Sequence, residues 1–274
     1  MVASGCVLPG QASVSLGNSV VCNVVGTQPI LNVRGAIDSF RTAAGDHLLM
    51  TCVTSGTVVY DQLAELFSPL WPWDPHVAPD DRDMAPLLNW LTDQAAQVPP
   101  GCGGVLALPL YNGEGVFQQP QAFASLLGLR RGKITPAVLA RASMEATSLI
   151  MRHGFDQMKQ NGLGQVERVV LSGGGSQNAL WPQIVADVLG MPVVMPQDAH
   201  EAATRGAAYL ALHMVRQQAG DRQTLAELLA EKVRTSQPIQ PRPENTKIYD
   251  AMMPALLAAR DQLAPLYEHP WFKS

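Results

Sequence analysis

Three consecutive glycines, Gly173, Gly174 and Gly175, followed by Ser176, Gln177 and Asn178, form the stretch of this sequence best suited to hold a ligand. A backbone without Cβ atoms lets a flat ring or a sugar lie directly against it. The three polar side chains beyond can hydrogen-bond a ligand or cap a following helix. A second turn, Gly17-Asn18-Ser19, can present N–H and hydroxyl donors to phosphate oxygens, and a third, Thr54-Ser55-Gly56, adds another glycine open to close approach. Each also has a plain reading, as a surface turn, a hairpin and an ordinary loop. Neither common nucleotide loop is present. GxGxxG spacing is missing, and the stretch from Gly128 to Lys133 falls short of a Walker A loop, with three residues between its glycines and Ile134 in place of Ser or Thr.

Strand ends and helix starts must position these turns. Val166 to Leu171 is a β-branched apolar run stopped by the glycines. Leu180, Ile184 and Val188 then recur at helical spacing, Pro182 is tolerable in the first turn, and Gly190 is a stop signal before a strand at Val193-Val194. Such a unit sets the glycine turn at the carboxyl end of a strand and at a helix N-terminus, where unpaired N–H groups would face outward. Ala12 to Leu16 and Val20 to Val24 read as a hairpin around Gly17-Asn18-Ser19. Leu48 to Val53 reads as a strand running through Gly56 into a helix over residues 57–67.

The rest is scaffold. Residues 68–103, rich in proline including Pro75, read as an excursion around a helical patch, Met84 to Ala96, that adds no sheet element; Trp71, Trp73 and Trp90 there cover a core. Gly104 to Leu108 is strand-like, and Glu114 in the loop beyond reads as a solvated or capping carboxylate. Thr135-Pro136 opens a helix with Leu139, Ala142, Ala146, Leu149, Ile150 and His153 on one face, His153 being a packing residue. Helices follow from Ala199 to Val215, with Glu201 and Gly206 near its start, from Gln223 to Val233, and from Glu244 to Tyr267, bent or broken at Pro254.

Composition narrows the function. The 274 residues are 47% hydrophobic and 15% charged, which suits one large or two small globular domains. A net charge of −4 without a dense Lys/Arg run argues against a general nucleic-acid or membrane-surface binder, so small molecules are the expected partners. Cys6, Cys22, Cys52 and Cys102 are dispersed, indicating neither a zinc site nor a disulfide framework and fitting a reducing cytoplasm. No apolar run approaches the roughly 20 residues of a membrane span, and no export signal is seen at the start.

Several stretches together carry a family resemblance: SLGNS at 15–19, LPLYNGEG at 108–115, LLGL at 126–129, LARASMEA at 139–146, LSGGGSQNALWPQIVADVLGMPV at 171–193 and EAATRGAAYLA at 201–211. In this order they resemble the C-terminal domain of the FGGY family of carbohydrate kinases, and TCVTSGTVVYDQLAELF with the C-terminal segment is similar to the xylulokinase branch. The resemblance implies an α/β, actin-like and ribonuclease-H-like ATPase domain over residues 1–274, with the insertion at about 68–103 and a C-terminal helix at about 244–268. It further implies that ATP and a sugar meet between this domain and an N-terminal sugar-binding domain, which these residues do not include.

By the same resemblance, Gly17, Asn18 and Ser19 match the second phosphate-binding turn. Gly173, Gly174 and Gly175 match the adenosine turn, Ser176 and Gln177 continue it, Asn178 approaches adenine, and Gly56 sits at a helix start near the nucleotide. No residue here matches the family's general base, an Asp that would lie just before Met1. Mg2+ would be held by nucleotide, water and the other domain. The implied function is transfer of the ATP γ-phosphoryl group to a sugar, D-xylulose foremost, with ribulose, gluconate or glycerol as alternative acceptors. A non-catalytic actin-like module is a further alternative, and a homodimer is left open. Two departures stand out: Asn18 occupies a usual Thr position, and Gly115-Val116 follow Glu114 where Arg and Pro are usual.

Overall fold

The computed structural model describes residues 1–31, 36–42, 45–74, 76–197 and 202–272. Alternating apolar side chains along the first hairpin turn one face of a sheet inward. β1 (Ala12–Leu16) and β2 (Val20–Gly26) pair antiparallel with Val14 opposite Cys22 and Leu16 opposite Val20, and all four side chains are buried. β2 continues the antiparallel pattern onto β4 (His47–Val53), and β4 onto the edge strand β3 (Asp38–Arg41). On its other side β1 pairs parallel with a later strand, Val169–Ser172, which in turn pairs parallel with Val193–Val194. With β5 (Leu106–Leu108) and β6 (Ser125–Leu127) forming a separate two-stranded sheet, those later strands are β7 and β8, and the main sheet runs β3-β4-β2-β1-β7-β8.

One consequence governs the site. β1, β4 and β7 all run the same way, so their carboxyl ends, at Leu16, Val53 and Ser172, share one edge of the sheet. Open α/β sheets bind ligands outside that edge.

Helices cover the inward face: α1 (Val58–Phe67), α2 (Ala85–Ala96), α3 (Pro136–Gln160) and α4 (Trp181–Leu189). α3 is central, packing on β2, β4, α1, α2 and α4, and most of its residues are buried. Thr135 caps it through its side chain, which accepts from the Val138 N–H at 3.2 Å, and Pro136 fills the first turn. Each fully buried Leu or Ile on it, such as Leu149 and Ile150, contributes about 1.5–3 kcal/mol over an exposed one. α5 (Ala202–Gln218) packs on the Val2–Ser4 turn, α6 (Leu225–Lys232) on α5, and α7 (Pro243–Tyr267) on α4. The Asp187 carboxylate anchors that last contact, accepting from the Arg242 N–H and the Asn245 side chain, both at 2.7 Å. No helix among the described residues is long and apolar enough to cross a membrane.

Several boundaries differ from the expectations. The strand before the glycines starts at Val169 rather than Val166, because its register is set by pairing Ala12 with Val169. β3 is an additional strand with an exposed, largely polar sequence, which gives no alternating signal. Of the bend or break expected at Pro254, α7 shows no break, running as one helix through that residue; Pro254 and Asp250 are both exposed, which leaves the carbonyl that Pro254 cannot serve at the surface. Glu201 and Pro75 lie outside the described residues, so the helix expected from Ala199 is described from Ala202 onward.

The proline-rich segment 68–103 adds no strand, yet its helix is held deep. Leu87, Leu91 and Ala95 of α2 are fully buried in the main core. The turn after α2 is clamped by a buried polar cluster: Glu145 on α3 accepts from Arg141 at 2.7 Å, from Tyr249 on α7 at 2.9 Å and from the Gly101 N–H at 3.1 Å. Cys102, at a positive φ of 50°, donates its thiol to the same carboxylate. Removing one partner of a buried ion pair leaves a charge with no counterion and costs about 3–5 kcal/mol. Glu145→Ala should therefore destabilise the chain by that order, seen as a lower midpoint in urea denaturation; a loss below 1 kcal/mol would mean that the cluster is not what holds this segment.

Candidate functional site

The three glycine-bearing turns converge at the carboxyl ends of β1, β4 and β7. The Gly17-Asn18-Ser19 turn closes with the Gly17 N–H donating to the Ser19 carbonyl at 3.1 Å. Its outward carbonyls then receive the start of α1, with Gly56 N–H to Asn18 O and Thr57 N–H to Gly17 O, both at 2.7 Å. A Cβ on Gly56 would run into the Gly17 carbonyl oxygen, so this glycine is required by the neighbouring turn. Gly173 takes a positive φ of 91°, and a Cβ there would lie 2.5 Å from the Leu16 carbonyl oxygen; one on Gly175 would lie 2.5 Å from Leu16 Cγ. Gly174 alone of these four has open space, with nothing within 4 Å of where its Cβ would sit.

That open space belongs to a cleft of about 250 Å³. It is lined by Gly174, Gly175, Gln177 and Asn178, by Thr57 with Tyr60 and Asp61 of α1, by Leu88, Asn89 and Thr92 of α2, and by Trp181. The Tyr60 and Trp181 rings stand 5.9 Å apart, and the Trp181 indole donates to Ser148 on α3. Larger hollows exist elsewhere, one of about 670 Å³ beside Leu210 and Leu225 on α5 and α6, but no glycine turn opens into it.

The polar residues after the glycines take unequal parts. Ser176 is buried and donates to the Gly173 carbonyl at 2.7 Å, closing the turn. Gln177 is exposed on the cleft wall. Asn178 caps α4, its Oδ1 accepting from the N–H of Leu180 at 2.9 Å and of Trp181 at 3.0 Å, while its Nδ2 donates to Thr92 at 2.8 Å. The expected outward-facing N–H groups at the two helix starts are thus satisfied internally: Asn178 takes those of α4, and the carbonyls of Gly17 and Asn18 take those entering α1. The helix also does not follow the glycines directly, a short 3-10 turn, Gly174–Gln177, standing between.

Glu114 is 1% exposed rather than solvated. Its carboxylate accepts from the N–H of Thr54 at 3.1 Å and of Val116 at 3.0 Å. Burial pushes the carboxyl up to about 7, while the backbone N–H groups of Val116, Thr54, Ser55 and Gly115 pull it down. His153 is a packing residue, its ring 5.5 Å from that of Phe117, and burial lowers its pKa. Trp71, Trp73 and Trp90 pack together against the core. Among the described residues no three His, Cys, Asp or Glu side chains gather as a metal-binding set.

Residues 12–215 match the FGGY family of carbohydrate kinases, C-terminal domain. The chain belongs to this family. Among curated relatives, the xylulose kinase of Haemophilus influenzae is 33% identical over 206 residues, 75% of this chain and 38% of that protein. Among solved structures, the xylulose kinase of Rhodospirillum rubrum superposes with a TM-score of 0.80 at 26% identity, covering 98% of this chain and 50% of that one. The gluconate kinase of Lactobacillus acidophilus gives 0.79 at 20% identity, with coverages of 97% and 50%. This FGGY chain therefore has the actin-like ATPase fold of sugar-kinase C-terminal domains, as its sequence implies, and spans about half the length of those structures or less of the curated relative. Thr57, Tyr60, Leu88, Thr92 and Trp181 are cleft residues that sequence reasoning did not single out. Only their helical phase relative to the glycine turn could have marked them.

The glycines separate into two kinds that a stability measurement distinguishes. Gly56→Ala should destabilise the FGGY domain by about 1–3 kcal/mol, since backbone must move to admit the methyl group. Gly174→Ala should change stability by less than about 0.5 kcal/mol. Equal losses at the two positions in chemical denaturation would contradict the packing described.

Proposed function

We propose that this chain is the nucleotide-binding half of a carbohydrate kinase, taking ATP in the cleft beside Gly174 and presenting its phosphates toward the Gly17-Asn18-Ser19 turn. The observation that carries the reading is the unfilled space over Gly174, walled by Tyr60, Leu88 and Trp181 and lying next to a second turn whose Asn18 side chain is exposed. A flat base fits such a slot, and an exposed polar turn at the carboxyl edge of a sheet suits phosphate oxygens. Gly56 and Gly173 support the two turns, Gly175 and Ser176 shape the adenosine wall, and Gln177 and Asn178 border the base. The Asn178 side chain is fixed there by its bonds to Thr92 and Tyr60. Magnesium would arrive with the nucleotide phosphates.

The γ-phosphoryl group would pass in line to a sugar hydroxyl. Positioning is the main contribution that this half makes, since holding reactants in line can supply effective molarities of about 10⁵ M or more. The sugar contacts and the base that accepts the hydroxyl proton fall to the other half of the enzyme. D-xylulose is the acceptor we favour, on the strength of the 33% identity to a xylulose kinase. Free Cys6, Cys22, Cys52 and Cys102 fit a cytoplasmic setting.

Calorimetric titration with ADP tests the nucleotide assignment. Gly174→Val should weaken binding at least tenfold with an unchanged melting temperature, because its side chain occupies the ligand's space; equal affinities would remove Gly174 from the site. An ADP-release assay on the protein that includes both halves, against a panel of pentuloses, hexuloses and polyols, tests the reaction. Sugar-dependent turnover strongest with D-xylulose is expected, and absence of turnover with every sugar would favour a non-catalytic module.

A further inference from the structure

We propose that Glu114, which lies outside the cleft and lines none of it, is a positioning residue that sets the phosphate turn through the β4–α1 junction. The inference rests on the nucleotide reading above and adds to it a residue and a pH dependence.

A chain of hydrogen bonds leads from the carboxylate to the turn. Glu114 takes the Thr54 and Val116 N–H groups, and the Gly115 N–H in turn donates to Thr54 Oγ1 at 3.3 Å, so the loop and the end of β4 are bonded in both directions. Two residues on, Gly56 and Thr57 give their N–H groups to the carbonyls of Asn18 and Gly17. Thr57 also donates its hydroxyl to Asn18 Oδ1 at 3.4 Å, and its methyl group stands beside Gly175. Gly56 is too tightly wedged against the turn to absorb a shift. Movement of residues 54–57 is therefore passed to Asn18, whereas the Tyr60 ring is held at its hydroxyl by Thr92 on α2 and the Trp181 indole by Ser148 on α3.

The number of donors makes the charge state matter. A carboxylate accepts from several N–H groups at once, whereas a neutral acid brings a hydroxyl hydrogen of its own into their midst. With the carboxyl raised to about 7, both forms exist in the neutral range. Its titratable neighbours are the thiols of Cys22 on β2 and Cys52 on β4, both pushed up by burial and neutral throughout that range; no charged side chain is among the causes of its shift. Fold and turn then respond in opposite senses. Because the folded value lies above the unfolded one, the stability that Glu114 contributes is present at low pH and lost as pH rises through about 7. The ionised form is the one that orders the turn, so phosphate binding strengthens over the same interval.

The test compares wild type with Glu114→Gln, which mimics the neutral acid, using adenosine and ADP as separate probes at pH 6 and pH 8. At pH 8 the variant should bind ADP three- to tenfold more weakly than wild type and adenosine within twofold. At pH 6 the ADP difference should shrink to within twofold, the ionisation of ADP itself being common to both proteins. Meanwhile the melting temperature of wild type relative to the variant should fall from pH 6 to pH 8, opposite in sign to the gain in ADP affinity, an inversion that a merely structural role would not produce. If Glu114→Gln does not fold, Thr54→Ala cuts the partly exposed Gly115–Thr54 bond and should weaken ADP but not adenosine. A wild type that binds both probes, with a folded variant matching it for ADP at both pH values or losing both probes equally, overturns the role of Glu114. A wild type that binds neither probe overturns the nucleotide reading and this proposal with it.

Discussion

Everything in the site depends on crowding around Leu16 and the turn that follows it. β1 ends there between β2 and β7, at spacings near 4.8 Å, and three chain segments must leave the same edge. The hairpin turn doubles back, the glycine turn crosses toward α4, and the junction after β4 enters α1. Leu16 is itself buried to 1% exposure, so neither its carbonyl nor its side chain can withdraw. Side chains have no room at Gly56, Gly173 or Gly175, and the turns solve the problem by lacking them. Only after those three positions are filled by neighbours does Gly174 remain as a surface on which something external can lie.

The same crowding explains how the donors are used. At both helix starts the N–H groups nearest the cleft are already taken, by Asn178 on one side and by the carbonyls of Gly17 and Asn18 on the other. A helix N-terminus is often invoked as an anion site in its own right. Here its hydrogen bonds build the turns instead, and the nucleotide reading we propose leaves recognition to what the turns present: the bare backbone at Gly174 and the exposed amide of Asn18. The α2 lining depends on a more distant support. α2 reaches the cleft with Leu88 and Thr92 because the Glu145–Arg141–Tyr249 cluster holds the chain that follows it against α3 and α7.

Much of this was legible in the sequence, and the exceptions have physical reasons. The hairpin Ala12–Leu16 with Val20 onward, the strand before Gly56 and the helix stopped by Gly190 declare themselves through alternation, helical spacing and a left-handed cap, Gly190 having a φ of 63°. These are local signals that tertiary structure merely had to accept. Glu114 was not legible, since an isolated loop carboxylate looks solvated until the fold brings Thr54 against it from sixty residues away. Nor was the part played by α2: proline density marks residues 68–103 as an excursion, whereas the burial of Leu87, Leu91 and Ala95 makes its helix a wall of the core. The glycines were recognised as a group, but which of them packs and which faces outward is a question of distances to Leu16 and to the Gly17-Asn18-Ser19 turn that no spacing encodes.

The departure at position 18 leaves the making of the turn untouched. The bonds that shape the turn, Gly17 N–H to Ser19 O and the two from the start of α1, use only backbone atoms, which Asn and Thr supply alike. The Asn18 side chain is exposed and accepts one long hydrogen bond, from Thr57 at 3.4 Å. Exchange of a hydroxyl for an amide at this point thus alters what the turn presents outward without altering how the turn is made. Positions 56, 173 and 175 lack that freedom, because their constraint is steric and internal. Gly173 and Gly175 must stay bare around Leu16, and Gly56 against the Gly17 carbonyl, whatever side chain the turn carries outward at position 18.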